Sequence, residues 1–445
     1  MALGIDGLIS GIDTTAMIKE LMTIEARPQV LLKQKVAQNQ NFVTGLQNLN
    51  TKIASLTEAA GKVAKPAGTD LYSAVSSSDK VTAVTKAGAA AGSLDITVNK
   101  LATAQVSLSA AMAAWPNGDA LSISKDGTIT ELDTAGKSLD EVISTVNKAN
   151  LGVTAVKISA GSVDGVAQYR MQFTATATGE AGAFTVAQNG ADLGSIRTAQ
   201  DAELTLWAGV AGAETKITSA TNTFADLMPG VDITVGTVSA TPVTIAVSRD
   251  DKAISDVAAG LVTGLADVFA YINKNSAVTV STSDGTTKAT GGAFTGDSAI
   301  RALKAAIMTA ATSPVDGKSP SEIGIVITKD GTVEFDAEKF AAAMTADPVK
   351  TQATLQTIAG RVEAAGKTAS DKYDGSITQR ITGQESTVKA LNSQIEEWDR
   401  RLASRESTLK MVWTNLEVKL SALQSQQDWL TGQLNSLSSS SSSKN

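Results

Sequence analysis

Two runs of apolar residues with a seven-residue repeat, one near each end of the chain, limit the possible fold more than any other feature. The first run has alternating steps of four and three residues, and its members are Phe42, Leu46, Leu49, Ile53, Leu56, Ala60 and Val63. The second run keeps this spacing over most of its length, and its members are Val388, Leu391, Ile395, Trp398, Leu402, Leu409, Val412, Leu416, Leu420, Leu423, Leu430, Leu434 and Leu437. Such spacing predicts helices that pair along an apolar seam, either within one chain or between subunits.

The second seam changes its frame at Leu416, because two steps of four residues follow one another there. Such a stutter locally unwinds a supercoil, so the packing is expected to change at this point. Residues 384–437 are predicted to form one helix about 80 Å long. The part before Leu416 is expected to pair with the 42–63 seam in an antiparallel manner. The part after it is expected to pair with residues 17–32, with a bend at Pro28 because proline lacks a backbone N–H.

The first thirteen residues, MALGIDGLISGID, carry no positive charge, and Asp6 and Asp13 interrupt their apolar stretch. A secretory signal would need a basic beginning and an unbroken apolar run, so we do not predict one. No window of the chain approaches the uncharged apolar length of a membrane span. Asp13 is instead predicted to be the N-cap of a helix. The apolar residues of that helix that share a face are Met17, Ile18, Leu21, Met22 and Ile24.

Between the two seams the apolar residues follow a period of two, which is typical of half-buried strands. Strands are predicted over residues 93–102, 169–179, 231–238 and 241–250. One helix interrupts them at residues 138–150, where Ser138 and Glu141 form the pattern of a capping box. Asp-Gly pairs such as Asp126-Gly127 predict tight turns. Helices return after residue 251, with one hairpin predicted within residues 323–336.

The predicted fold class is therefore α+β with several domains. An α-helical, coiled-coil-like domain is built from both chain ends, and β-rich domains are inserted between them.

The composition excludes several classes of function. The 445 residues include 38 Lys and Arg against 45 Asp and Glu, and the net charge of −7 disfavours nucleic acid as a partner. Cysteine and histidine are absent, which removes disulfides, Ser-His-Asp and Cys-His nucleophiles, and His- or Cys-ligated metals. Three Gly-Lys-Ser/Thr triplets lack the earlier glycine that a phosphate-binding loop needs. We predict no enzyme activity, and no catalytic, cofactor-binding or metal-binding residues.

The opening segment GIDGLISGIDTTAMIKELMTIEARPQ closely resembles the N-terminus of the flagellar hook-associated protein 2 family, the filament caps also called FliD. Further similar segments follow in the family's order, and they are SLDITVNKLATAQ, TNTFADLMPGVDITV, VTIAVSRD, TGGAFTGDSAIRAL, IGIVITKDGTVEFDAEKF and QQDWLTGQL. The resemblance covers nearly the whole chain and is weakest over residues 111–200. No single segment decides it, but their order makes it specific.

This resemblance implies a flagellar filament capping protein, which forms an oligomeric cap at the distal filament tip. Such a cap promotes the folding and insertion of exported flagellin and prevents its loss. The implied partners are other copies of the chain in a ring, with a pentamer expected, together with flagellin, the hook-filament junction proteins and an export chaperone. The chain is expected outside the cell at the flagellum tip, exported by the type III apparatus without a cleaved signal peptide. Neither membrane insertion nor binding to nucleic acid is expected.

The resemblance also implies a division of the chain into functional parts. Residues 1–40 are expected to be a partly helical export and assembly segment, and residues 41–71 with 251–428 a helical leg domain. A β-rich head domain is expected over residues 72–110 with 200–250, and an inserted outer α+β head domain over residues 111–199. Residues 429–445 are expected to be the end of the C-terminal assembly helix and a disordered Ser-rich tail.

Three groups of site residues follow from the seams and the resemblance together. Oligomer or filament contacts along the helical seams are predicted for Phe42, Leu46, Leu49, Ile53, Leu56, Leu391, Ile395, Trp398, Leu402, Leu416, Leu420, Leu423, Trp429, Leu430 and Leu434. The export and assembly segment is predicted to act through Ile5, Leu8, Ile12 and Asp13. Contacts with the chaperone are predicted for Leu430, Leu434 and Leu437.

One alternative of a different class stays open at this point. A secreted surface adhesin would bind host glycans through the β-rich head, and it would equally need no catalytic group. A clean deletion distinguishes the two functions, because loss of filaments with leakage of flagellin indicates a cap. Intact filaments with lost attachment indicate an adhesin.

Overall fold

A computed structural model describes residues 11–283, 286–329 and 331–441 of the chain. The chain divides into two compact units. The helical unit contains the chain up to Ala64 and from Ala258 onward, and the β unit comprises Lys65–Val257. The predicted α+β fold class is confirmed.

The α-helices of the described residues are α1 (Thr14–Glu25), α2 (Arg27–Val63), α3 (Leu139–Ala149), α4 (Asp251–Ser276), α5 (Ser298–Thr312), α6 (Ala337–Ala346), α7 (Pro348–Ser370) and α8 (Ser376–Ser441). Short 3-10 helices lie at Pro66–Gly68, Glu180–Gly182 and Pro320–Ile323. All α-helices except α3 contribute to the helical unit.

Two residues, Asp13 and Pro28, determine where α1 begins and where it is separated from α2. The Asp13 carboxylate accepts a hydrogen bond of 2.8 Å from the amide of Ala16, so the predicted N-cap is confirmed. Helix α1 ends at Glu25, and α2 begins two residues later with Pro28 in its first turn. Because Pro28 has no N–H to donate to the preceding turn, the helix is interrupted beside the residue at which a bend is predicted.

The middle of α2 forms the core of the helical unit together with α7. Leu46, Leu49 and Ile53 have no exposed surface. A Cβ atom at Gly366 of α7 would lie 2.1 Å from the Thr57 hydroxyl oxygen of α2. The two helices therefore cross so closely that only glycine fits at this position.

This burial corrects one group of predicted contacts with other molecules. Leu46, Leu49, Ile53 and Leu56 are covered by helices of their own unit, so their side chains cannot reach a partner. Phe42 is half-buried, and its ring packs edge-on against Phe294 with centroids 5.9 Å apart. The heptad spacing of α2 belongs to an intrachain core rather than to an intermolecular seam.

Helix α4 has no long uncharged run, because Asp256 and Asp267 interrupt it, but it is the one helix in the described part of the chain that is long enough and apolar enough on average to cross a membrane. Leu265, Phe269 and Ile272 of this helix are buried inside the protein. The Tyr271 hydroxyl also donates a 3.2 Å hydrogen bond to the carbonyl of Gly45 on α2. Core packing therefore accounts for its apolar composition.

Helix α8 is a single helix of 66 residues, which corresponds to about 99 Å at 1.5 Å per residue. The prediction of one long C-terminal helix is confirmed. Its end at Ser441 corrects the prediction of a disordered tail for residues 438–441, because the helix continues through them. Once a helix has formed, each further residue adds a hydrogen bond without a new nucleation cost. Residues 442–445 lie outside the described residues.

The strands are β1 (Tyr72–Ser76), β2 (Val81–Thr85), β3 (Gly92–Lys100), β4 (Val106–Leu108), β5 (Leu121–Lys125), β6 (Thr128–Leu132), β7 (Val153–Val163), β8 (Val166–Ala175), β9 (Thr185–Gln188), β10 (Ala191–Asp192), β11 (Ser195–Arg197), β12 (Ala202–Leu206), β13 (Thr215–Ser219), β14 (Thr223–Met228), β15 (Val231–Val235), β16 (Ser239–Arg249), β17 (Val278–Ser283), β18 (Thr286–Gly291), β19 (Ile325–Ile327) and β20 (Val333–Phe335). The paired strands are antiparallel, and β17 to β20 form two hairpins in the helical unit.

The inner module of the β unit consists of β1–β3 and β12–β16. Its sheets have the strand orders β1-β16-β3-β12-β13 and β14-β15-β2. Side chains from both sheets meet in one core, in which Ile96, Leu204, Ile233 and Ile245 have no exposed surface. Alternate residues of β3 point into this core, as its period-two pattern predicts.

The outer module consists of β4–β11 and α3. Its sheets have the orders β10-β9-β5-β6 and β11-β4-β8-β7. Phe173, Met171 and Leu121 fill its core. The capping box of Ser138 and Glu141 at the start of α3 is confirmed, and the hairpin turn Asp126-Gly127 has both residues in the left-handed region, at φ 51° and 77°.

Several predicted boundaries differ from the structure. Strand β4 pairs with β8 and β11, so it belongs to the outer module, although the predicted boundary at residue 110 placed it in the inner one. The boundaries at residues 40 and 428 fall inside α2 and α8. The predicted strands at 93–102, 169–179, 231–238 and 241–250 correspond to β3, β8, β15 and β16, and the hairpin within 323–336 to β19–β20. The β17–β18 hairpin was not predicted.

Candidate docking surface of the terminal helices

Helix α8 runs antiparallel to α1 and α2 inside the helical unit. Three polar contacts fix this direction, and they are Gln47 Nε2 to Glu385 Oε1 at 3.1 Å, Gln29 Nε2 to Asp399 Oδ1, and Arg405 Nε to Glu25 Oε1 at 3.0 Å. Each step toward the N-terminus on α1 or α2 is matched by a step toward the C-terminus on α8. The pairing within one chain is one of the two arrangements that the seams allow.

This register corrects the predicted partners of α8. Residues 385–405 lie beside residues 25–47, so they reach only the beginning of the 42–63 seam, and α7 packs against α2 near Thr57, farther along that seam. Thr14 lies eleven residues before Glu25, and Leu416 lies eleven residues beyond Arg405. The start of α1 is therefore level with Leu416, and residues 17–32 pair with α8 before the stutter rather than after it. Thr14 and Glu417 are both buried at this level.

The first half of α8 is covered by its intrachain partners only in part. Leu391, Ile395, Trp398 and Leu402 are each half-buried. On the opposite side, Ile18 is the buried apolar residue of α1. The Arg401 guanidinium lies 4.7 Å from the centre of the Trp398 ring and covers part of it. These seam residues therefore contribute to intrachain pairing first.

A large apolar surface remains exposed on the same helices, and we call it the distal apolar surface. Its members are Met17, Leu21 and Ile24 of α1, Val30 and Leu31 of α2, and Met411, Val412, Leu416, Val418, Leu423, Trp429, Leu430 and Leu434 of α8. Trp429 is 65% exposed and Leu423 is 61% exposed. Single exposed apolar residues are ordinary, but so many of them on paired helices indicate an interaction surface.

The end of α8 has no intrachain helix beside it among the described residues. At the observed register α1 begins level with Leu416, whereas α8 continues for 25 residues to Ser441. This stretch is about 37 Å long. Leu420 is half-buried, and Leu423, Leu430 and Leu434 are exposed. An amphipathic helix gains most of its stability from packing of its apolar face, so this stretch requires a partner to be stable.

The predicted residues of the N-terminal segment are only partly described. Ile5 and Leu8 lie outside the described residues. Ile12 is exposed, and Asp13 is used as the N-cap of α1. The side chain of Leu437 also lies outside the described residues, although its backbone belongs to α8.

Sequence reasoning missed part of the distal apolar surface. Met411 and Val418 lie outside the heptad frame, so a search along the seam alone does not find them. Met17, Leu21 and Ile24 are predicted to share an apolar face that pairs within the chain, but not to be exposed to other molecules. The width of the apolar face of α1 could have indicated this exposure. A single partner helix cannot cover so wide a face, and α8 buries only Ile18.

The charges around the surface are mixed in sign. Glu406 and Lys410 form an ion pair of 2.6 Å on α8, and Glu25 pairs with Arg405 at the edge of α1. In the described part of the chain, no three Asp and Glu side chains are grouped as metal ligands. The surface can therefore bind by apolar contact with a polar rim, which is the usual composition of a protein–protein interface.

Comparison with known families supports the same organisation. The family described as "Flagellar hook-associated protein 2 C-terminus" matches residues 199–425, which is just over half of the chain. The family described as "Flagellar hook-associated protein 2 N-terminus" matches residues 10–105. The chain belongs to the flagellar hook-associated protein 2 family. The predicted membership and the predicted function of filament capping are thereby confirmed. A filament cap is located at the flagellum and is a homo-oligomer.

Individual relatives of this family match over nearly their whole length. The B-type flagellar hook-associated protein 2 of Pseudomonas aeruginosa is 25% identical, over 96% of this chain and 94% of its own. The flagellar hook-associated protein 2 of Escherichia coli O157:H7 is 24% identical, over 98% of both chains. The crystal structure of the D1-D2-D3 domains of the flagellar cap protein FliD from Escherichia coli has a TM-score of 0.59 at 19% identity. It covers 76% of this chain and 99% of that one, and it supports the fold.

Proposed function

We propose that the distal apolar surface is where this filament cap contacts neighbouring copies of itself and the end of the filament. One observation carries the proposal. Helix α8 continues for 25 residues beyond the level at which α1 begins, with Leu423, Trp429 and Leu430 exposed along it. Burial of such side chains contributes roughly 25 cal/mol for each Å² of apolar surface removed from water. A buried Trp surrounded by large aliphatic residues is also the composition of an interface hot spot.

The form of the surface favours helical partners. The seam resumes a regular heptad step after Leu416, at Leu420 and Leu423, and such a stripe packs into the groove of another helix. Copies of this chain in a ring, with five subunits expected, supply such helices. Flagellin and the hook-filament junction proteins are the other proposed partners of the same surface.

The two units are proposed to have different tasks. The helical unit acts as the leg that docks, and the β unit acts as the head that meets exported flagellin, promotes its folding and insertion, and prevents its loss. Export through the type III apparatus without a cleaved signal peptide is proposed on the ground of membership of the flagellar hook-associated protein 2 family. The chain is proposed to act outside the cell at the filament tip and to catalyse no reaction.

A secretion chaperone is the proposed partner of the same helix end before export. Leu430 and Leu434 are exposed, and Leu437 continues their spacing in the sequence. A short apolar stripe with this spacing can bind in a helical groove. If binding of the chaperone by a chain that ends at Gln427 were undiminished in a pull-down, this proposal would be wrong.

The double variant Leu423→Asp with Leu430→Asp tests the docking surface. Each change places a charge on a surface that is buried after assembly, where an unpaired charge costs on the order of several kcal/mol. We expect normal export and folding of the β unit, loss of the cap from the filament tip and leakage of flagellin. The matched control is Gln424→Asp with Gln426→Asp, which adds the same charge at exposed polar positions of the same helix.

The readouts are electron microscopy of filament tips and immunodetection of flagellin in the medium. Full-length filaments with a normally exported double variant would refute the docking assignment. Equal loss of capping in the control would show that charge alone, and not the apolar surface, is responsible. Electron microscopy of the purified oligomer counts the subunits of the ring. Deletion of the whole chain tests the adhesin alternative, since intact filaments with lost attachment to host glycans would favour it.

A further inference from the structure

Two Asn-Gly pairs lie in the outer module, Asn117-Gly118 and Asn189-Gly190. In this dipeptide the amide nitrogen of the glycine can attack the side-chain carbonyl carbon of the asparagine. An N–C bond forms, the bond to the side-chain nitrogen breaks, and ammonia leaves with the proton from the glycine amide. Water then opens the resulting succinimide ring at either carbonyl, so the product is aspartate or isoaspartate. The two pairs have the same sequence but very different surroundings.

Asn189 is held by hydrogen bonds at both ends of its side-chain amide. Its Nδ2 donates to Asp119 Oδ1 at 2.6 Å, and its Oδ1 accepts from the Ala120 amide at 2.8 Å. Its backbone amide donates to the Ala120 carbonyl at 2.9 Å. Asn189 and Gly190 lie in the tight turn between β9 and β10, both with positive φ. Rotation of the Asn189 side-chain carbonyl carbon toward the Gly190 nitrogen would break both hydrogen bonds of the side chain.

Asn117 has none of these restraints. It is exposed, and its side chain forms no hydrogen bond within the described part of the chain. Its turn is closed by one long backbone hydrogen bond, from the Asp119 amide to the Pro116 carbonyl at 3.3 Å. Gly118 has φ +87°, and a Cβ atom there would meet nothing within 4 Å. The side chain and the glycine amide can therefore approach one another without moving other groups.

We propose that Asn117 is a site of spontaneous deamidation in the folded protein, and that the hydrogen bonds of Asn189 protect it from the same reaction. The site lies between two fixed points. Trp115 is buried and donates from its indole N–H to the Asp119 carbonyl at 3.3 Å. The Asp119 carboxylate accepts from Gln188 and Asn189, both at 2.6 Å. An isoaspartate lengthens the backbone between these two fixed points by one atom and adds a carboxylate beside Asp119.

The test follows both sites in the full chain during incubation at mildly alkaline pH. Peptide mapping by mass spectrometry, with separation of aspartate from isoaspartate, measures the fraction converted at each asparagine. We expect Asn117 to convert, and Asn189 to convert at least about tenfold more slowly, a ratio that equals about 1.4 kcal/mol in the barrier. In concentrated urea the two sites should convert at similar rates, because their sequences are alike. The variant Asp119→Ala, which removes the acceptor of Asn189 Nδ2, should accelerate Asn189 while it remains folded.

Each outcome decides the matter. Conversion of Asn117 that is no faster than that of Asn189 in the folded chain overturns the proposal. A rate ratio that is the same in urea as in buffer also overturns it, because the selectivity would then come from the sequence and not from the fold. Selective conversion of Asn117 in buffer, together with equal rates in urea, establishes it.

Discussion

Replacement of Arg380 by methionine should destabilise the helical unit more than any surface change on α8. The guanidinium of Arg380 forms two hydrogen bonds with the carboxylate of Asp297, one of them 2.9 Å from Nη1 to Oδ1. Asp297 is also the N-cap of α5 and accepts from the Ile300 amide at 3.0 Å. On its other side the guanidinium lies 4.9 Å from the centre of the Phe42 ring. One side chain therefore joins α8, α5 and α2.

The magnitude follows from burial. The Asp297 side chain is only 10% exposed, whereas that of Arg380 is 31% exposed. Removal of one partner from a fully buried pair costs about 3–5 kcal/mol, because the remaining charge is left without compensation. Asp297 keeps its bond to the Ile300 amide, and water reaches the position of Arg380. We therefore expect a loss of about 2–3 kcal/mol in the free energy of unfolding of the helical unit.

The assay is urea unfolding of the full chain followed by the far-UV circular dichroism of its helices. A double-mutant cycle with Asp297→Asn isolates the coupling between the two side chains, since the amide keeps the N-cap and removes the buried charge. Arg400→Met is the matched control, because Arg400 is exposed on the same helix, and it should change stability by less than about 0.5 kcal/mol. An Arg380→Met effect no larger than that of the control, or no coupling in the cycle, would refute the reasoning.

The same pair predicts a dependence on pH. Burial alone would raise the pKa of Asp297, but the hydrogen bonds from Arg380 and from the Ile300 amide outweigh it, so the pKa lies below its ordinary value. A carboxylate with a lowered folded-state pKa stabilises the fold above its unfolded pKa, and the contribution is lost as pH falls through the folded value. The acid sensitivity of the helical unit should therefore decrease in the Asp297→Asn variant.

Three further substitutions test the packing of the helical unit and a charge in the β unit. Gly366→Ala should destabilise the helical unit by about 1–3 kcal/mol, because its Cβ would meet the Thr57 hydroxyl. Gly383→Ala on the open face of α8 should stabilise by about 0.5–1 kcal/mol, and urea titration distinguishes the two. In the inner module, hydrogen bonds from Asn99 and Lys216 lower the pKa of Glu203 to about 2. Stability of the β unit should thus fall as pH drops from the ordinary range of a glutamate toward 2, and Glu203→Gln should remove that part of the dependence, as acid titration of the β-sheet signal would show.

The sequence allowed the helices at both ends to be predicted, because the heptad spacing of apolar residues survives any choice of partner. It did not allow the partner itself to be predicted. Leu46, Leu49 and Ile53 have the spacing of an intermolecular seam, but the same spacing serves a helix buried among α4, α7 and α8. Which helix lies beside α2 depends on Gly366 and its close approach to Thr57, and that contact joins residues more than 300 positions apart.

The candidate site shows a similar limit. Trp429, Leu430 and Leu434 could be predicted because they lie on or beside the seam. The outward face of α1 could not be separated from its inward face, because Met17, Ile18 and Leu21 are equally apolar and only the position of α8 makes Ile18 the buried one. The β17–β18 hairpin could not be predicted, because its strands are rich in Thr and Ser and lack a clear apolar alternation. Both strands are exposed where they are described, so neither needs an apolar face.

The register of α8 against α1 and α2 explains why the stutter lies at Leu416. Up to Leu416 the apolar stripe of α8 has to match α1 and α2, which belong to the same chain and are fixed by Glu25 and Gln29. Beyond Leu416 neither α1 nor α2 lies beside α8. The apolar stripe of α8 therefore no longer has to fit the side chains of these two helices. A change of frame within the intrachain pair would move apolar residues away from their partners, whereas a change at its end moves them only relative to an external partner. If the distal apolar surface docks as proposed, the frame shift separates a part of α8 that is specified by the fold from a part that is specified by assembly. Substitutions of the half-buried seam residues before it, such as Leu402, should act mainly on the stability of the helical unit, and substitutions of the exposed seam residues after it, such as Leu423, on capping.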